Sequence, residues 1–100
     1  MDRQVGRIIA ALEHAGLADG TIVVFTSDHG DMIGDHGLLE KRAFYEPAVK
    51  VPMMVRIPRP GDDRVRVDGN FSQVDLVATL LDLMDQSLPN HLGGQPCCGV

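Results

Sequence analysis

Thr21-Ile22-Val23-Val24-Phe25-Thr26-Ser27-Asp28-His29-Gly30 is the stretch on which the fold turns. Its first six residues are almost continuously apolar or β-branched, the composition of a strand covered on both faces in a parallel sheet. The next four change character at once, to two oxygen-bearing side chains, an imidazole and a glycine. In open α/β sheets ligands gather at the carboxyl ends of strands, so this junction is where chemistry is expected.

Upstream, Val5, Ile8, Ile9 and Leu12 recur at helical spacing and predict a helix over residues 2–15, with Gly16 as a left-handed cap. Downstream, residues 27–47 show little periodicity and are punctuated by Gly30, Gly34 and Gly37, which reads as a long functional loop. Val51 to Ile57 predicts a second strand, with Met53 and Met54 as core filler, and residues 59–69 a polar excursion with turn chemistry. Ser72-Gln73-Val74-Asp75 resembles a capping box with Asp in place of Glu. The helix it opens, over 73–85, places Val74, Val77, Leu80, Leu81 and Met84 on one face. After Pro89 the chain is Gly-rich and reads as loose. Helix, short loop and buried strand together indicate an α/β fold with a mostly parallel sheet flanked by helices. Residues 1–96 form the domain and 97–100 a tail.

Composition narrows the function. Apolar residues make up 44% of the 100, enough for a core, and the formal net charge is −5. That acidity argues against nucleic acid, which selects a basic stripe, and against an anionic membrane surface. No apolar run approaches the ~20 residues that span a bilayer, and Asp2-Arg3-Gln4 does not begin a signal peptide. Cys97 and Cys98 are adjacent and build no disulfide framework, which leaves the compartment open.

Asp28 beside His29 supplies one carboxylate and one imidazole, both able to ligate a divalent metal. Gly30 would let the backbone turn sharply away beneath the ion. Asp and Gly after a strand are also ordinary turn residues, so the following loop matters. Asp31, Asp35, His36, Glu40, Lys41, Arg42 and Glu46 crowd a segment that returns to a second strand. Lys41 is placed to hold an anionic oxygen as a point charge. The bland alternative is a solvated loop whose charges keep it soluble.

The run Thr26-Ser27-Asp28-His29-Gly30-Asp31-Met32-Ile33-Gly34-Asp35-His36-Gly37, continuing through Lys41 to Val51-Pro52, closely resembles the sulfatase family. That family belongs to the alkaline-phosphatase superfamily and includes iduronate and choline sulfatases and the related phosphonate monoester hydrolases. The helix at Val5-Gly6-Arg7, the strand at 21–25 and the helix at Ser72 to Leu76 are similar to it too. The resemblance covers residues 2–95 and implies the C-terminal part of an alkaline-phosphatase-like catalytic domain, and so a partial sheet. It implies Asp28 and His29 as metal ligands and Lys41, with His36, as substrate contacts. It implies a divalent metal, Ca2+ first and Mn2+ or Zn2+ as alternatives, and a small-molecule sulfate or phosphonate ester as substrate.

The family's nucleophile is a formylglycine made from Cys or Ser in a C/S-x-P-x-R motif, and this sequence holds neither that motif nor the family's Asp-Asp metal pair. Asp62-Asp63 lies in a Pro/Gly-flanked turn and reads as surface. Sulfate ester cleavage needs an aligned nucleophile, a cation on the developing charge and an acid for the leaving group. These residues offer two ligands and one oxyanion contact, so catalysis by them alone is not expected. A phosphonate or phosphate ester hydrolase segment, or a non-catalytic remnant, are the alternatives. A partial sheet also leaves strand edges open to self-association.

Overall fold

The computed structural model describes residues 1–58 and 65–97. The chain divides into two compact units, Met1–Asp63 and Arg64–Val100. In the first, α1 spans Asp2–His14, as its apolar spacing predicts. It closes in a Schellman motif: with Gly16 at φ 67°, Leu17 N–H donates to Leu12 C=O and Gly16 N–H to Glu13 C=O, each at 3.0 Å. Val5, Ile9 and Leu12 are half-buried on this helix, and Ile8 is exposed.

A 3-10 turn at Ala18–Gly20 leads into β1, Val23–Thr26. The loop after it is more ordered than its lack of periodicity suggests. It holds a hairpin of β2, Met32–Ile33, and β3, Leu39–Glu40, then a four-residue helix α2, Glu46–Val49. Strand β4, Met53–Arg56, then pairs with β1 in antiparallel register, Val24 opposite Val55 and Thr26 opposite Met53. The hairpin is antiparallel as well, Ile33 opposite Leu39.

The mostly parallel sheet expected from the β-branched run is therefore corrected: among the described residues both ladders are antiparallel. Connectivity is the reason. Parallel neighbours need a crossover that carries the chain back to the starting end, usually through a long helix. Residues 27–52 contain only the hairpin and α2, so β4 sets out from the end where β1 stops. Nor is β1 covered on both faces, since all four of its residues are half-buried. In β4, half-buried Met53 and Val55 alternate with exposed Met54 and Arg56, so Met54 is not core filler. The buried centre of this unit is small: Ala18, Met32 and Ala48.

In the second unit α3 spans Val74–Leu83. Half of the expected capping box forms: Ser72 N–H donates to Asp75 Oδ2 at 3.1 Å, while Ser72 Oγ accepts Val74 N–H at 3.4 Å and Asp75 N–H goes to the Ser72 carbonyl. The far end is another Schellman turn, with Gln86 N–H on Leu81 C=O at 2.8 Å and Asp85 in the glycine position at φ 55°. The buried face is not the predicted stripe. Val74, Val77 and Met84 are exposed, while Ala78 and Thr79 are buried.

The segment after Gly93 explains the difference. Gln95 N–H donates to Asp75 Oδ1 at 2.9 Å, and Cys97 N–H to Thr79 Oγ1 at 3.1 Å. A Cβ at Gly94 would lie 2.1 Å from the Val74 carbonyl oxygen. The chain expected to be loose thus lies against the first turns of α3. Asp62-Asp63 and Cys98 lie outside the described residues. Among those described, no helix is long and apolar enough to cross a membrane.

Candidate functional site

Where β1 ends, Ser27 and Asp28 build a local hydrogen-bonded turn. Ser27 Oγ–H donates to His29 C=O at 2.8 Å, and His29 N–H donates to Asp28 Oδ1 at 3.0 Å. That backbone N–H is the main cause lowering the Asp28 carboxyl below its usual range, with desolvation opposing it. Asp28 is therefore ionised at neutral pH.

The tautomer of His29 follows from its two neighbours. Nδ1 lies 2.6 Å from Gly30 C=O and Nε2 lies 2.6 Å from Lys41 Nζ. A carbonyl cannot donate and an ammonium cannot accept, so the proton sits on Nδ1 and Nε2 presents a lone pair. Asp28 Oδ2 stands 3.3 Å from that nitrogen. Two ligands ~2.2 Å from one ion and a right angle apart are themselves ~3.1 Å apart, so the pair has the bite of one coordination edge.

Lys41 is delivered by a hairpin loop with an unusual backbone. Gly34, His36, Gly37 and Glu40 all take positive φ, at 94°, 53°, 71° and 70°. Asp31 Oδ1 accepts Met32 N–H at 3.1 Å and Asp35 Oδ2 accepts Ile33 N–H at 3.4 Å, so these carboxylates shape the loop. Beyond Lys41 the chain is fastened by Gly30, whose N–H donates to Ala48 C=O at 2.8 Å. A Cβ on Gly30 would lie 1.9 Å from the Pro47 carbonyl oxygen. Glycine is thus needed for the close approach of α2, and the sharp turn expected beneath an ion is not what requires it.

The structure brings Asp28, His29 and Lys41 together. His36 instead stacks on Tyr45, with ring centroids 4.1 Å apart and planes 21° from parallel. Sequence reasoning missed Ser27 as the organiser of the turn, although Ser-Asp is a recognisable side-chain-to-backbone turn signal. It also gave no sign of the His36–Tyr45 pair. An open cleft of about 370 Å³ is lined by His29, Lys41, Arg42, Phe44, Ala48 and Val49, among others. Arg42 pairs with Glu40 at 3.0 Å, and both are too exposed for the pair to contribute much. No cluster of three or more His, Cys, Asp or Glu fit to hold a metal occurs among the described residues.

Comparison with known proteins gives a consistent answer. The Sulfatase family profile matches residues 1–86. An uncharacterized sulfatase of Escherichia coli K12 is 38% identical over the whole chain, which spans 20% of that protein. A phosphonate monoester hydrolase from Agrobacterium radiobacter superposes with a TM-score of 0.86 at 39% identity, covering 96% of this chain and 19% of its own. A structure solved with its substrate D-glucosamine-2-N,6-O-disulfate superposes with a TM-score of 0.73 at 32% identity, over 95% of this chain and 19% of that one. The chain thus spans about a fifth of the relatives it matches.

Proposed function

The chain belongs to the sulfatase family, and from that premise we propose that it is the metal- and oxyanion-binding segment of a sulfuric ester hydrolase acting on a small-molecule sulfate ester. Asp28 and His29 hold a divalent cation, Ca2+ first, with Mn2+ or Zn2+ as alternatives. Lys41 holds a non-bridging oxygen of the ester as a point charge. The observation that carries this reading is the approach of Lys41 Nζ to His29 Nε2 at 2.6 Å, with Asp28 Oδ2 3.3 Å from the same nitrogen.

The donors suit a cation. His29 gives its Nδ1–H to the Gly30 carbonyl, the outer-shell bond that orients a metal-bound imidazole. When bound, the metal supplies Lewis-acid stabilisation of the charge that grows on the ester oxygens. The remaining work of these residues is binding and orientation: Asp28 stays anionic, Lys41 moves off the His29 Nε2 lone pair when a cation takes it, and the released ammonium positions the anion. Two ligands do not complete a coordination shell, and the 100 residues hold no C/S-x-P-x-R motif. The nucleophile and further ligands come from outside them, and these residues alone do not turn over substrate.

A phosphonate or phosphate ester is the second reading, favoured by the 0.86 TM-score to a phosphonate monoester hydrolase. The same three groups fit either tetrahedral anion. Calorimetric titration of Ca2+ and Mn2+ tests the metal assignment: Asp28→Ala should weaken binding by tenfold or more, and an unchanged affinity refutes it. With the segment completed to a whole domain, turnover of an aryl sulfate against a phosphonate monoester separates the two substrates. Lys41→Ala there should weaken inhibition by inorganic sulfate without weakening cation binding, since the ammonium no longer competes for His29 Nε2.

A further inference from the structure

We propose that His36 and Tyr45 form a ring clasp that positions Lys41, so that His36 serves the site through the lysine and not by touching substrate. The stack joins residues that bracket Lys41 in sequence, with centroids 4.1 Å apart. The bracketed segment needs holding. His36 at φ 53° and Glu40 at φ 70° both occupy the left-handed region that L side chains adopt only at a cost. Glu40 directly precedes Lys41, so its backbone sets where the lysine points.

Tyr45 is the right anchor for such a clasp. Its carbonyl accepts the N–H groups of Ala48 and Val49 at 2.9 and 3.1 Å, and the Ala48 carbonyl in turn accepts Gly30 N–H at 2.8 Å. A closed mechanical path therefore runs from His29 through Gly30, α2 and Tyr45 to His36. Lys41 lies inside that path, and its ammonium bonds His29 Nε2. Without the stack, the strained hairpin is free to relax and carry Lys41 away from the imidazole.

A substrate contact would use the ring nitrogens of His36, whereas a clasp uses only the face of the ring. That difference makes the idea testable. It rests on the sulfatase-segment reading for its purpose, though not for its measurement. Nuclear Overhauser contacts between the Lys41 ε-methylene and the His29 ring should be present in the 100-residue chain. They should survive in His36→Phe and Tyr45→Phe and fall several-fold in His36→Ala and Tyr45→Ala. The cross-strand contact between Val24 and Val55 should persist in all four variants as the control for the fold.

Full retention of the Lys41–His29 contact in His36→Ala overturns the proposal, and so does its loss in His36→Phe. Collapse of the Val24–Val55 contact in His36→Ala also overturns it, by making the stack a requirement of folding. Inorganic sulfate titrated into the same samples should bind about tenfold more weakly to His36→Ala and equally well to His36→Phe. If the unsubstituted chain binds no sulfate, the ester-hydrolase reading fails alone, and the proximity measurement still decides the clasp.

Discussion

Replacing Gly30 by alanine puts one methyl group into the tightest backbone approach beside the site. The new Cβ would lie 1.9 Å from the Pro47 carbonyl oxygen and 2.9 Å from its carbon, neither of them the end of a movable side chain. Ordinary contact begins at 3.4 Å, so α2 would have to retreat by about 1.5 Å. A retreat of that size breaks the 2.8 Å bond from Gly30 N–H to Ala48 C=O. The lost bond costs about 1 kcal/mol. Overpacking a backbone contact adds about 1–3 kcal/mol. Because Gly30 does not have a positive φ, alanine also recovers about 0.4–1 kcal/mol by restricting the unfolded chain. The balance is a destabilisation of about 1–3.6 kcal/mol. Urea unfolding followed by circular dichroism should show a lower midpoint with an unchanged slope. An equal or higher midpoint would refute the argument, because it would mean that α2 is not held against Gly30.

Asp85→Gly should stabilise by about 0.5 kcal/mol, since Asp85 closes α3 at φ 55° where glycine meets no steric penalty; the same urea midpoint reads it. Thr79→Val keeps the shape of the buried side chain but removes the acceptor of Cys97 N–H. Amide exchange at Cys97 should quicken, with a stability loss of about 1–2 kcal/mol. The bond from His29 N–H to Asp28 lowers the carboxyl pKa, so its contribution is present above the usual carboxylate range and is lost as pH falls through the depressed value. Proton-detected titration should show Asp28 charging before an unperturbed aspartate as pH rises. Each two-stranded ladder leaves unpaired edges among the described residues, so sedimentation should show association growing with concentration.

Local signals in the sequence carried well into the structure where one segment alone decides the outcome. The helical spacing from Val5 to Leu12 and the left-handed Gly16 need no partner, and the capping residues Ser72 and Asp75 need only each other. The run Thr21 to Thr26 announced a strand, but its partner's direction was set by the connection through residues 27–52, and a β-branched composition does not encode that. The same limit explains the misplaced face of α3. Apolar spacing pointed to Val74, Val77 and Met84, whereas Thr79 is buried and Asp75 half-buried where Cys97 and Gln95 return to bond them. Those bonds join residues 20 and 18 positions apart, beyond the reach of a periodicity argument.

The site divides along the same line. Asp28 and His29 are adjacent at a strand end, so their pairing is visible in the sequence itself. Lys41 was legible as a cation in a charged loop, but its return to His29 was not, because the turn that returns it is made of positive backbone angles at His36 and Glu40. Strain of that kind is invisible to propensity, and it persists only where surrounding contacts over-determine it. In this segment those contacts are the Gly30–Ala48 bond and the His36–Tyr45 stack, each joining the two sides of the stretch that presents the lysine. A charged loop that merely kept the surface soluble would have no reason to hold a histidine and a glutamate in left-handed backbone. The strain falls where Lys41 is aimed at His29, which argues that the hairpin is shaped for the ammonium it carries.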